Sequence, residues 1–221
     1  MASLAGVYLF CLGLASGLTL LTITGYRRVS PRWLKWVLVA SGLFVMSRYV
    51  TMAIFTRADA PQHFWMLRRC WWATSVGLTL PSVFAIDQLV RHPALSPNKI
   101  LRWFAPFLLV YALVILVGSS HPVPDRVIGW MPRLEGGWRF LLALTQSAFV
   151  VTFVGFCVLL IRKLPSAPIR LPLFWLAVGH LTLALDGLLV ASGRWYFRPF
   201  LFSEMLTLLA IWHAYETSAS S

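Results

Sequence analysis

Five ionisable side chains stand inside apolar runs where a charge is costly: Arg48, His180, Asp186, Glu204 and His213. Four of them share two runs, 171–192 with His180 and Asp186, and 198–215 with Glu204 and His213. An isolated charge in hydrocarbon costs on the order of 3 kcal/mol or more, so such groups pair, line a polar cavity or mark a function. Arg48 can meet an anionic group. The carboxylates can pair with Arg48, or the spare one can take up a proton. For the histidines the chemistry is single ligation of a haem, or a hydrogen bond to a neighbouring hydroxyl or carbonyl.

Signatures of catalysis are missing. There is no His-Glu-x-x-His helix, Gly-x-Ser-x-Gly elbow, phosphate-binding glycine loop or Cys-x-x-Cys-His haem attachment. Cys11, Cys70 and Cys157 have neither paired nor metal-ligand spacing and read as free thiols in an apolar setting. No repeat with paired broken helices points to a secondary transporter. The expectation is a non-enzyme with no metal and no cofactor.

The elements that must position these residues follow from composition. In 221 residues, 59% are hydrophobic, 12% are charged and the mean hydropathy is +0.76, which is the balance of an integral membrane protein. The net charge of +12 comes from Lys and Arg scattered through the loops without an aromatic-interleaved stripe. That pattern argues against nucleic acid and for topology signals and contact with anionic headgroups of the membrane lipids. A span needs about 20 mostly apolar residues. Seven segments qualify, at about 4–26, 33–56, 64–90, 100–119, 138–161, 171–192 and 198–215. The expected fold is an all-α integral membrane protein, one bundle of seven transmembrane helices. The third segment, with Arg68 and Arg69 near its start, and the short seventh leave a six-helix alternative open.

The first segment lacks a basic region before it and is followed by Arg27, Arg28, Arg32 and Lys35, so it reads as a retained helix with its start outside. The N-terminus is then outside and the C-terminus inside. At about 1.5 Å per residue, Arg48 lies about 22 Å from the inner start of its helix, Asp186 about 22 Å beyond Leu171, and Glu204 about 9 Å below Arg198. All three reach one level in the outer third of the bundle. They form either a structural salt bridge tying three helices or a polar pocket open to the outside. His180 falls near the midplane and His213 nearer the inner face, too far apart in depth for two axial ligands of one haem.

Connections are short and marked by proline and glycine, except 121–137, which contains Pro122, Pro124, Pro132 and Gly136-Gly137. It is expected to form an outer cap whose apolar stretch, Val127 to Met131, dips into the interface or covers a cavity. Trp33, Trp36, Trp71, Trp72, Trp103, Trp138 and Trp195 near helix ends read as an aromatic belt. Gly13 and Gly17 allow close approach of a neighbouring helix. Pro81 predicts a kink in the third segment, and Asp87 with Gln88 lies at its inner end near Arg91.

The third segment opens Phe64-Trp65-Met66-Leu67-Arg68-Arg69 and continues to Leu80-Pro81-Ser82-Val83-Phe84, and the fourth carries Phe104-Ala105-Pro106-Phe107. With the Gly/Trp-containing outer loop and short basic inner turns, this order resembles the seven-helix membrane region at the N-terminus of bacterial sensor histidine kinases. The resemblance implies a sensory or ligand-binding module of a bacterial cytoplasmic (inner) membrane, and supplies no ligand or site residues. No kinase, cyclase or other output domain follows the last segment before Ser221, so such a module is expected to act through another membrane or signalling protein, with a small or lipophilic ligand as its input. The competing expectation is an accessory subunit of a respiratory or photosynthetic membrane complex, in contact with pigment, haem or quinone.

Overall fold

A computed structural model describes residues 2–57, 64–92, 95–125, 128–164, 167–191 and 201–220. Its long helices follow the apolar runs: α1 Ala2–Gly25, α2 Arg32–Arg57, a broken third segment, α6 Pro97–Val117, α7 Gly136–Lys163, α8 Ala167–Ala191 and α9 Phe202–Ser220. The third segment consists of α3 Phe64–Leu67, a 3₁₀ turn Arg68–Trp72, α4 Ala73–Gly77 and α5 Thr79–Val90. Among the described residues, six helical segments are long and apolar enough to cross a membrane. The exception is α9, whose 19 residues include Glu204, His213 and Glu216.

Packing explains that exception. Neighbours in sequence are neighbours in space, and the ring of helices closes where α9 packs between α8 and α1 while also touching α5. Ser203, Glu204, Thr207, Leu208, Ala210, Ile211, Ala214, Tyr215 and Ser218 of α9 are buried. A helix shielded by protein on most sides need not be as apolar as one facing lipid. The interior of the ring is α5, where Thr79 and Pro81 to Asp87 are all buried. Tyr215 of α9 donates a 2.9 Å hydrogen bond to the Pro81 carbonyl and stacks edge-on against Tyr26, which fastens α9 to α5 and to the end of α1.

The third segment departs from the expected single kink at Pro81. A proline ring clashes with the carbonyl four residues earlier. That residue is Gly77, and the helix is interrupted at Leu78, one turn upstream of the proline. A second interruption, the 3₁₀ turn Arg68–Trp72, has no proline to announce it. Here α4 crosses α2 closely: a methyl group on Gly77 would overlap Val45 and lie 2.9 Å from the Ser41 carbonyl oxygen.

The connection expected as a cap is an antiparallel hairpin, β1 Ser120–Asp125 and β2 Gly129–Leu134, with Pro122 opposite Pro132. Both strands of a two-stranded hairpin are edges, which is where proline is tolerated. Gly129 adopts φ +82 and sits directly on the backbone of Phe55 and Thr56 at the end of α2. Arg68 reaches the Ser120 carbonyl oxygen at 3.5 Å. The hairpin is thus docked on α2 and on the third segment.

Two smaller expectations are corrected. Trp71 is not in a belt at the lipid boundary; it is 1% exposed and stacks on Phe55, whereas Trp33, Trp36 and Trp103 are exposed as expected. Gly13 and Gly17 do not mediate helix contact within the chain, since a methyl group at either would meet nothing within 4 Å. Arg91 turns to the Ser218 carbonyl of α9, while Asp87 accepts a 2.8 Å hydrogen bond from Gln88. Trp195, Arg194 and Arg198 lie outside the described residues.

Candidate functional site

Arg48 of α2 and Glu204 of α9 are buried and paired: Nη2 is 2.7 Å from Oε1, and Nε is 3.4 Å from Oε2. This two-pronged geometry is the stronger form of a charged hydrogen bond. The broken third segment supplies a further partner. The other guanidinium nitrogen, Nη1, donates to the carbonyl of Trp71, and the Arg48 guanidinium lies 5.3 Å from the centre of the Trp71 ring. Backbone that leaves helical geometry at membrane depth must find its hydrogen bonds elsewhere. The break and the cation therefore answer each other. Tyr49, next to Arg48 in α2, is buried, and its hydroxyl meets no hydrogen-bond partner among the described residues.

Asp186 of α8 is half-buried and accepts a 3.0 Å hydrogen bond from the Ser203 hydroxyl, one residue before Glu204. It faces the same space as the pair. That space is a cavity of about 410 Å³ with Arg48, Glu204 and Asp186 in its lining. Trp71, Trp72, Thr74 and Ser75 form one wall, and Leu142, Ala143 and Gln146 of α7 with Leu183 of α8 form another. Met131, Pro132, Arg133 and Leu134 of β2 lie over it, and Arg139 of α7 stands beside them. Of the apolar stretch foreseen to dip into the interface or cover a cavity, Met131 lines the cavity, and Val127 lies outside the described residues.

His180 is brought close to this site but not into it. It sits one turn from Leu183 on α8, buried between the rings of Phe149 and Phe153 of α7 at 5.2 and 4.6 Å between centres. The hydroxyl or carbonyl partner expected for it is missing at Nε2, which meets no hydrogen-bond partner among the described residues. A buried polar atom of this kind lowers stability. Leucine at position 180 is accordingly expected to raise the unfolding midpoint by several degrees, or leave it unchanged, in a thermal melt of the purified protein. A fall of several degrees would mean that the imidazole holds something.

Among the described residues no cluster of three His, Cys, Asp or Glu is placed to hold a metal, and the three cysteines are free. The residues missed at sequence level are Trp71, whose carbonyl becomes available only through the break, and Arg133 and Arg139, which read only as basic residues at the edge of a span. The hairpin register is the signal that places Arg133 beside the cavity, and prolines on both strands concealed it. Compared with known proteins, the chain matches no family model and no curated sequence.

Proposed function

We propose that the chain is a multi-pass membrane binding module of the sensor type, which takes a small or lipophilic ligand into the cavity above the Arg48–Glu204 pair and acts through a partner protein. The observation that carries this reading is the cavity itself. Its volume of about 410 Å³ falls within the range of small-molecule sites, and its lining mixes apolar side chains with fixed polar and charged ones. Arg48 belongs to the same helix whose end supports the hairpin. A ligand filling the space beneath β2 thereby acts on α2 and, through Glu204, on α9. The module catalyses no reaction. The resemblance to sensor membrane regions of bacterial kinases agrees with this reading.

The proposal places the protein in a bacterial cytoplasmic membrane with the cavity toward the outside. In the structure the hairpin and the start of α1 lie at one end of the bundle and the end of α9 at the other, because the helices alternate in direction. A reporter fused after Ser221 is expected to be active as a cytoplasmic fusion and inactive as a periplasmic one, the direction required by the basic residues after α1. The opposite result turns the cavity inward.

Purification in mild detergent, with mass spectrometry and an absorption spectrum, tests the function. A small molecule retained by the folded protein and released on unfolding supports a binding module. A fixed stoichiometric set of other integral subunits, or a coloured group, moves the assignment to a subunit of a larger membrane complex.

A further inference from the structure

The charges around the cavity fall into two sets with different consequences. In the interior, Arg48 is answered by Glu204 and by the Trp71 carbonyl, so this part is locally neutral and calls for no charge on a ligand. Asp186 adds a carboxylate that accepts from the Ser203 hydroxyl, so the whole lining carries three arginines against two carboxylates. The second set is Arg133 on β2 and Arg139 in the first turns of α7, both exposed and both on the cavity lining. Neither guanidinium has a hydrogen-bond or ion-pair partner among the described residues. Two exposed cations thus stand at the solvent side of a space whose apolar wall is supplied by Trp72, Leu142, Ala143, Leu183 and Leu201, with Thr74, Ser75 and Gln146 as neutral polar lining.

We infer that the cavity binds an anionic amphiphile, a single acidic head on an apolar chain, with the head between Arg133 and Arg139 and the chain running inward toward the Arg48–Glu204 pair. This rests on the binding-module reading and adds the charge and orientation of the ligand. Guanidinium groups hold carboxylate and phosphate oxygens by paired donors, and leaving solvent for the mouth of a low-dielectric cavity strengthens that contact. The apolar walls reward the chain. The polar interior stops it, because displacing the Arg48 contacts would strand a buried charge. A free fatty acid and an anionic membrane phospholipid share this chemistry.

The test uses the full chain in nanodiscs of phosphatidylcholine with three photoreactive probes of one chain length: a diazirine-bearing decanoic acid, its methyl ester and the corresponding trimethylammonium compound. Labelled residues are mapped by mass spectrometry. The acid is expected to label the walls formed by α7 and α8, to be displaced by decanoate, and to label about tenfold more than either analogue, the effect of roughly 1.4 kcal/mol of charged contact. The double variant Arg133→Gln with Arg139→Gln is expected to bring the acid down to the level of the ester without moving the unfolding midpoint. Arg133→Lys with Arg139→Lys should retain most of the labelling. Repeating the labelling in phosphatidylglycerol separates the sources: suppression identifies a membrane lipid as the competing occupant, and persistence identifies a free acid. Equal cavity labelling by acid and ester, stronger labelling by the cationic probe, or no response to the double Gln variant overturns the anionic assignment and leaves the binding module standing. Cavity labelling by none of the three overturns both.

Discussion

Arg48→Ala is expected to destabilise the protein more than the combined replacement of Arg48 and Glu204 by Ala. The single change removes both prongs of the ion pair and the donor to Trp71, and leaves the Glu204 carboxylate buried without its cation. Breaking a buried pair from one side costs about 3–5 kcal/mol. The double change removes the stranded carboxylate and retains only the cost of the unanswered Trp71 carbonyl, about 1–3 kcal/mol. Asp186→Asn should be milder than either, because an amide oxygen still accepts from Ser203. Unfolding midpoints of the singles and the combination in one detergent decide the matter. Strictly additive losses would show that Arg48 and Glu204 do not interact.

The second large effect is expected at Gly129. Its φ of +82 is a region that side chains avoid, and a methyl group there would drive into the carbonyl of Phe55 and lie 3.0 Å from the Cα of Thr56. Because the obstacles are backbone atoms of α2, no rotamer change relieves them. Gly129→Ala should therefore cost about 1–2 kcal/mol for the backbone conformation and about 1–3 kcal/mol for the overlap. Gly136→Ala is the control. It shares a positive φ of +47 but meets nothing within 4 Å, so only the first cost applies. The loss at Gly129 is expected to be local, lifting the hairpin from α2 while the helices remain packed. Hydrogen exchange should rise across β1 and β2 with little change in α5. Uniform loss of protection in all helices would contradict this.

What the sequence made legible was governed by distance along the chain. The apolar runs set the helices to within a few residues, as at 33–56 against Arg32–Arg57 and 138–161 against Gly136–Lys163. Counting residues along a straight helix was also enough to put Arg48 and Glu204 at one depth, where they meet. The third segment defeated that arithmetic because its break at Arg68–Trp72 is held by a partner from another helix, and local composition carries no trace of it. Asp186 reached the same cavity by way of Ser203, a contact that depends on how α8 and α9 are rotated about their axes. The hairpin was hidden for a different reason. Its prolines are poor strand formers, and the glycine that docks it has meaning only beside the end of α2. His180 followed the general rule for histidine in the wrong direction, with two phenylalanine rings where a hydrogen-bonding neighbour was expected.

The pairing of Arg48 with Glu204 also sets an order of events during synthesis. The two residues are 156 positions apart, which at about 5–20 residues per second is roughly 8–30 seconds of translation. Throughout that interval α2 has left the ribosome with a cation and no carboxylate to meet it, and the ring still lacks the helix that closes it. The nascent chain must keep Arg48 in contact with water, headgroups or the insertion machinery until α9 arrives. Synthesis of α9 is thus the step that allows α2 to settle, and closure of the ring waits for Glu204 to reach Arg48.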